Sequence, residues 1–350
     1  MPQKHWLDSP GSGWLSAMVA IVEIDPHDAV ALREFWDVEQ ASQRADRSDP
    51  VLRSLAQLTQ QVSDPNPFYR HVLLGARPGT HPGGRLMGVA DLGLTRQDNL
   101  HLAELEVNVL PAARRQGVGR ALHDDMVRRA SADGRTTFLG EAHLSAGATA
   151  SPATSFAAAL GFREAHREDH QVLDLPADAR WATPREAPGY DVLTWADRAP
   201  DDLVDAYARM RTQMGQDVPT GEIDHAPTLI TVEKIRLEEE RTASAYQHLV
   251  AVARRRSDGV LGGYSLVFLP RGDDYVVQDD TLVMPEHRGH GLGLALKTTV
   301  LAMLRRDHAD RRSVHTWNAV DNPPMQRINR ELGFRPVELL LEMQRRDVDA

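Results

Sequence analysis

Two stretches of the chain hold residues arranged to handle an anion. The first runs Val107-Asn108-Val109-Leu110-Pro111-Ala112-Ala113-Arg114-Arg115-Gln116-Gly117-Val118-Gly119-Arg120-Ala121-Leu122. The second runs Thr281-Leu282-Val283-Met284-Pro285-Glu286-His287-Arg288-Gly289-His290-Gly291-Leu292-Gly293-Leu294-Ala295-Leu296-Lys297. Each reads as a short apolar strand, a proline, a basic group, then Arg-x-x-Gly-x-Gly opening a helix. Proline ends the strand because it has no N–H for a ladder. Paired glycines permit a sharp turn and close approach of a ligand to the backbone. The helix that follows aims its unpaired N–H groups and positive dipole end at the turn. A pyrophosphate is the natural guest of such a turn. Arg114 and Arg288 begin the two turns, where they can add charge-assisted contacts.

Other phosphate loops do not fit. A dinucleotide fingerprint needs Gly-x-Gly-x-x-Gly, but the sixth position is Leu122 in the first copy and Leu294 in the second. A Walker loop needs glycine before Lys-Ser/Thr, and leucine stands there before Lys297-Thr298. Lys297 is therefore expected on a solvated face of its helix. His287 and His290 lie three apart on a tight turn without a suitable carboxylate cluster, so they are expected to face solvent or phosphate, and no metal is expected.

The doubled motif resembles that of the GNAT family of acetyl-CoA-dependent N-acetyltransferases, Arg/Gln-x-x-Gly-x-Gly/Ala after the fourth strand. Two ordinary strand–turn–helix units would not share a Val-x-Pro strand end and a later Leu-Gly-Phe. The resemblance implies that the loops bind the pyrophosphate of coenzyme A. The expected contacts are Arg114, Arg115, Gln116, Gly117, Val118, Gly119 and Arg120 in one copy, and Arg288, Gly289, His290, Gly291, Leu292, Gly293 and Leu294 in the other. It also implies that main-chain N–H groups at Val109 and Val283 polarise the thioester carbonyl.

Length and composition bound the remaining readings. A chain of 350 residues predicts two domains. A net charge of −10 argues against general nucleic-acid binding and against an anionic membrane surface. With no cysteine, disulfides, thiolate metal sites and a cysteine nucleophile are excluded. No apolar run approaches a membrane span, and Met1 to Ser16 lacks a signal-peptide core. Those 16 residues read as a disordered lead-in, and the protein as cytoplasmic, a monomer or homodimer.

The element pattern is β, two helices, three β, helix, β, helix, β, and it occurs twice. The first helices are expected over Ala29–Ala45 and from Asp49-Pro50. The strand after the first loop is expected over Thr136–Leu139. Pro176 to Gly189 reads as a linker. Pro285 follows Pro111 by 174 residues and Gly333 follows Gly161 by 172, a near-constant spacing that implies two homologous units. The expected fold is α/β (α+β): two GNAT domains in tandem, residues 17–176 and 190–350, each a mixed sheet flanked by helices.

Acetyl transfer to an amine needs a polarised thioester, a deprotonated amine and a tolerated thiolate; a thiol pKa near 8.5 makes the thiolate a good leaving group. For the base, the resemblance implies a carboxylate on the fourth strand, often acting through water. Glu106 and Asp280 share the 174-residue spacing and precede Val109 and Val283 by three. An exposed strand face explains them equally, and Glu104, on the face of Glu106 by period two, competes. The tyrosine that often serves as acid in the family is Ala157 in one half and Asn329 in the other. Asparagines that contact the pantetheine arm in resembling proteins have candidates in Asn318, Asn322 and Asn329, with helix capping by Asn322 as the rival explanation. The first half lacks such asparagines, which points to the C-terminal half as the better-equipped catalyst.

The expected activity is transfer of an acetyl group from acetyl-CoA to a primary amine, a small molecule, by direct attack in a ternary complex. A non-catalytic acyl-CoA-binding regulator and a protein acetyltransferase are the alternatives. Acidic residues of the early helices and loops (Glu222, Asp224, Glu238 to Glu240) are available to attract a cation or to keep a surface wet.

Overall fold

The computed structural model describes residues 19–347 apart from 64, 80–83 and 182. The expected lead-in lies outside the described residues. The first half comprises β1 (Val19–Glu23), α1 (Ala29–Asp46), α2 (Leu55–Ser63), β2 (Tyr69–Pro78), β3 (Gly88–Thr95), β4 (Leu102–Val109), α3 (Val118–Ala132), β5 (Thr137–Ser145), α4 (Pro152–Ala159) and β6 (Arg163–Asp174). The second comprises β7 (Tyr190–Ala196), α5 (Val204–Asp217), α6 (Val232–Thr242), β8 (Tyr246–Arg255), β9 (Leu261–Pro270), β10 (Tyr275–Val283), α7 (Leu292–Asp307), β11 (Ser313–Ala319), α8 (Pro323–Leu332) and β12 (Arg335–Arg346). The element order is the one the sequence predicts, twice over. Among the described residues no helix is long and apolar enough to cross a membrane.

Local chemistry explains the boundaries. Asp28 accepts from the N–H groups of Val30 and Ala31 and caps α1. Ser151 and Thr154 form a reciprocal capping box at the start of α4. On α3, Val118, Leu122, Met126 and Ala130 recur every four residues and are buried together against the sheet.

Among the described residues all twelve strands join one sheet, in the order β1-β2-β3-β4-β5-β12-β6-β11-β10-β9-β8-β7. The last strand of each half therefore lies in the other half's territory. β12 pairs antiparallel with β5 on one side and β6 on the other, while β6 pairs antiparallel with β11. The cores follow the strands. Leu341 and Met343 of β12 are buried with Leu122, Met126 and Phe138 of the first half. Leu173 of β6 is buried with Leu296, Val314 and Leu332 of the second. The exchange covers strand edges that would otherwise expose unpaired backbone groups.

β4 and β5 are parallel and pair only over Leu102–Glu104 with Thr137–Leu139, although both strands run on. β10 and β11 do the same over Tyr275–Val277 with Ser313–His315. Beyond these pairs each half has a gap in the sheet behind its glycine loop.

Three expectations differ in detail. The second helix begins at Leu55, not at Asp49-Pro50. β5 continues to Ser145, well past Leu139, because β12 supplies it with a partner as far as Ser145. Within Pro176–Gly189, Trp181 and Ala187 are buried in the second core, so that segment is packed down.

Candidate active site

The two glycine loops have the same backbone. Arg115 and Gly117 hold φ of 63° and 86°, and Gly289 and Gly291 hold 83° and 75°. Gly117 and Gly291 are the N-caps of α3 and α7, and neither offers a side chain to close the helix end. The first helical bonds run from Ala121 N–H to Gly117 and from Ala295 N–H to Gly291. The N–H groups of Val118, Gly119 and Arg120, and of Leu292, Gly293 and Leu294, are thus outside the helical ladder and aimed at the loop. Val118 and Leu292 turn their side chains into the cores. A Cβ on Gly119 would press on Phe156 at 3.1 Å, and one on Gly293 on Ile328 at 3.0 Å.

The leading arginines fold back onto their own strand ends, contrary to expectation. Nε of Arg114 donates to the Val109 carbonyl at 3.1 Å, and its guanidinium pairs with Asp46. Arg288 repeats this with Val283, again at 3.1 Å, and with Asp217. They brace each loop against its strand end and the preceding helix. Gln116 likewise bonds the Ala112 carbonyl at 2.9 Å. Among the described residues Arg115 and Arg120 are exposed and make no ion pair.

The asparagines divide. Asn322 caps α8 through Met325 N–H at 3.3 Å, and half-buried Asn318 makes a long contact to Thr316 at 3.4 Å. Asn329 is fully enclosed, accepting from Lys297 Nζ at 2.8 Å and donating to Gln171 at 2.9 Å. No surface of it remains for a pantetheine arm. The expectation for Lys297 is corrected too: it is 3% exposed, and burial pushes its ammonium down to about 7. Gln171, which completes this network, comes from the exchanged β6. His287 is wholly buried, with Nδ1 2.8 Å from the Tyr190 hydroxyl, rather than facing solvent or phosphate.

A cleft of about 1620 Å³ opens beside the first loop and includes Val109, Gly117, Gly119 and Phe156 in its wall. Its far side is acidic: Glu104 and Glu106 from β4, Glu141 from β5, Glu168 from β6 and Glu342 from β12. Trp317 and Leu340 of the second half also line it. Glu141 stands directly opposite Glu342 across the β5–β12 ladder. The Glu141 side chain is 63% exposed to the water of the cleft, but enclosure by the surrounding protein, then the charges of Glu106, Glu342 and Glu104, push it up to about 7. Burial and neighbouring carboxylates likewise push Glu168 and Glu342 up to about 7. Deeper in the cleft, burial opposes ionisation of Asp91. Hydrogen bonds and charge from His71 and Arg53 outweigh it and hold the Asp91 carboxyl below the ordinary range. Glu141, Glu168, Glu342 and His71 were missed in the sequence; Glu141 lies two before His143 on one strand face, a period-two signal that an early strand end concealed.

Glu106 and Asp280 differ in their surroundings. Glu106 is exposed in the cleft and accepts from two neutral amides, Gln43 at 3.2 Å and Asn108 at 2.8 Å. Asp280 accepts from the Tyr264 hydroxyl at 2.6 Å and pairs with Arg211 at 3.3 Å. An arginine already neutralises it, so the base role expected of Asp280 does not fit. The cleft also stands in the first half, against the expectation that the second is the better-equipped catalyst.

The pattern of the acetyltransferase (GNAT) family matches residues 32–162 and again 219–334. The chain belongs to this family, as a tandem member. A tandem GNAT protein from the clavulanic acid biosynthesis pathway, determined without AcCoA, has a TM-score of 0.81 at 25% identity, covering 95% of this chain and 100% of its own. A GCN5-related N-acetyltransferase from Sphaerobacter thermophilus has a TM-score of 0.68 at 16% identity, covering 95% and 96%. Saccharomyces cerevisiae N-myristoyltransferase with bound myristoyl-CoA has a TM-score of 0.57 at 10% identity, covering 95% and 79%. The last two likenesses concern the fold alone. No curated protein sequence matches the chain. GNAT membership carries acyl transfer from an acyl-coenzyme A as the general activity.

Proposed function

We propose that the protein transfers an acetyl group from acetyl-CoA to a primary amine of a small, cationic acceptor, and that the first half is where this happens. The carrying observation is the cleft that joins an uncapped, left-handed glycine loop to a wall of carboxylates that, among the described residues, no lysine or arginine pairs. The N–H groups of Val118, Gly119 and Arg120 suit a pyrophosphate, with Arg120 and Arg115 adding charge at the rim. The strand gap beyond Glu104 suits the pantetheine arm, and the N–H at Val109 suits the thioester oxygen. Glu106, Glu104 and Glu141 suit an ammonium group. Attack is direct: the amine nitrogen bonds the acyl carbon as the carbon–sulfur bond breaks.

The second half keeps the loop, but Arg211 and Tyr264 occupy its carboxylate, which favours a binding or structural role there. The test is calorimetric titration of acetyl-CoA into wild type, Gly119→Glu and Gly293→Glu, with circular dichroism to verify folding. Loss of binding in Gly119→Glu, together with loss of thiol release from acetyl-CoA and amine probes, is the expected result. Retained transfer in Gly119→Glu alongside its loss in Gly293→Glu would move the activity to the second half. No binding in wild type would sink the acetyltransferase reading.

A further inference from the structure

We infer that His143 takes the proton from the acceptor amine, and that Glu338, on the strand lent by the C-terminal half, positions it. The inference rests on the transferase reading and adds to it a base and its support.

Geometry places His143 at the reacting level. The last β4–β5 pair is Glu104 with Leu139. The same 35-residue spacing sets His143 level with Asn108, one residue before the Val109 N–H that would hold the thioester oxygen. His143 lines the cleft, with its side chain 20% exposed. Its Nδ1 is enclosed and lies 3.4 Å from Oε1 of Glu338. That approach is too bent for an ordinary hydrogen bond, as catalytic pairs often are before substrate closes on them. Nε2 lies 3.9 Å from Oε2 of Glu141, a carboxylate 63% exposed in the cleft.

Glu338 is built as a fixed anion. It is 4% exposed, accepts from Arg47 Nε at 3.1 Å, and stands 3.0 Å from Nδ1 of His170. Burial opposes its charge, but the donors gathered round it, His143, His170 and Arg47, hold its carboxyl far below the usual range. His170 is itself pinned, stacked on Trp317 at 4.4 Å and 3.0 Å from His315. A fixed carboxylate at Nδ1 selects the Nδ1–H tautomer and leaves the Nε2 lone pair toward the cleft, the carboxylate–imidazole arrangement that serves nucleophilic enzymes.

The charged and titratable groups facing His143 among the described residues are Glu141 on its own strand, Glu338 on β12, His170 on β6 and Arg47 after α1. Burial lowers the His143 pKa and the nearby Glu338 carboxylate offsets only part of this, so the ring is neutral at neutral pH and able to accept a proton. The ammonium gives one proton to Nε2, and the imidazolium is held by Glu338. The free amine forms the carbon–nitrogen bond and the carbon–sulfur bond breaks. The second N–H proton leaves as the adduct collapses, the thiolate takes up one proton, and one proton in all passes to solvent.

The experiment measures thiol release from acetyl-CoA with putrescine and spermidine as amine probes, between pH 5.5 and 9. Wild type, His143→Gln and Glu338→Gln are compared, with acetyl-CoA affinity determined by calorimetry for each. His143→Gln is expected to lose about 100-fold or more in kcat/KM with unchanged acetyl-CoA affinity, and to lose the acid limb of its pH profile. Glu338→Gln is expected to lose about 10-fold and to move that limb to lower pH, since a ring without its anion holds a proton less tightly. Activity of His143→Gln within threefold of wild type, or an acid limb that stays put in Glu338→Gln, overturns the inference but leaves the transferase reading standing. Wild type that binds acetyl-CoA yet acetylates neither probe overturns both. Nitrogen-15 NMR of wild type stands apart from variant folding: the Nδ1–H tautomer at His143 is expected, and the Nε2–H tautomer at neutral pH overturns the assignment.

Discussion

Glu106 and Asp280 lie 174 residues apart, each three before the strand-end valine, and their neighbours separate their chemistry. Asp280 has the Tyr264 hydroxyl at 2.6 Å and Arg211 at 3.3 Å, while among the described residues Glu106 has only amide donors. A carboxylate already paired with a guanidinium gains little from an arriving ammonium; one held by neutral donors keeps its charge for it. Lys297 makes a second residue-scale case. Its folded pKa, about 7, lies below the unfolded value of 10.5. Between the two the unfolded chain binds more protons, so this group adds stability as pH rises and withdraws it as pH falls toward 7. Urea unfolding of wild type and Lys297→Met at pH 7.5, 8.5 and 9.5 tests this. Wild type should gain about 1.4 kcal/mol per pH unit relative to the variant. Parallel curves would mean that the amine is not desolvated.

At the scale of elements, β12 matters most. It lies between β5 and β6, contributes Leu341 and Met343 to the first core, and carries both Glu338 and Glu342. Leu341→Ala should cost about 2–5 kcal/mol. Hydrogen exchange should show the loss in β5 and α3 of the first half as well as in the second; confinement of the loss to the second half would contradict the exchanged core. Glu342 faces Glu141 directly, and like charges across a ladder destabilise it. Glu342→Gln should therefore raise stability by about 0.2–1 kcal/mol in thermal unfolding at pH 8 while weakening acceptor binding. Both carboxyls sit at about 7, so the folded state holds protons there that the unfolded chain has released. Their contribution to stability falls as pH rises from about 4.5 to 7, and a cation should bind better above pH 7.

The whole molecule is one sheet whose halves each complete the other. Cutting the chain between β6 and β7 leaves β5 and β6 without the strand that joins them, and β11 and β12 likewise. Residues 19–189 expressed alone should be unfolded or aggregated, and co-expression with the remainder should restore a soluble complex. A well-dispersed NMR spectrum from the first half alone would contradict mutual completion. The exchange also explains why Trp317 and Glu342 reach a cleft whose loop lies some two hundred residues earlier in the chain.

Read alone, the chain determined the order of elements, the doubling of the unit and the two anion loops. These rest on local physics: strand-ending prolines, glycines with positive φ, uncapped helix starts and buried stripes of period four, each set within a few neighbouring residues. Only the tertiary structure decided that the first loop opens onto a cleft, that Arg114 and Arg288 brace rather than reach outward, and that Lys297 and Asn329 close on each other inside. It alone set Glu338 behind His143. Those outcomes depend on strands that pair across nearly two hundred residues, where burial and charge are set by partners that no local spacing names.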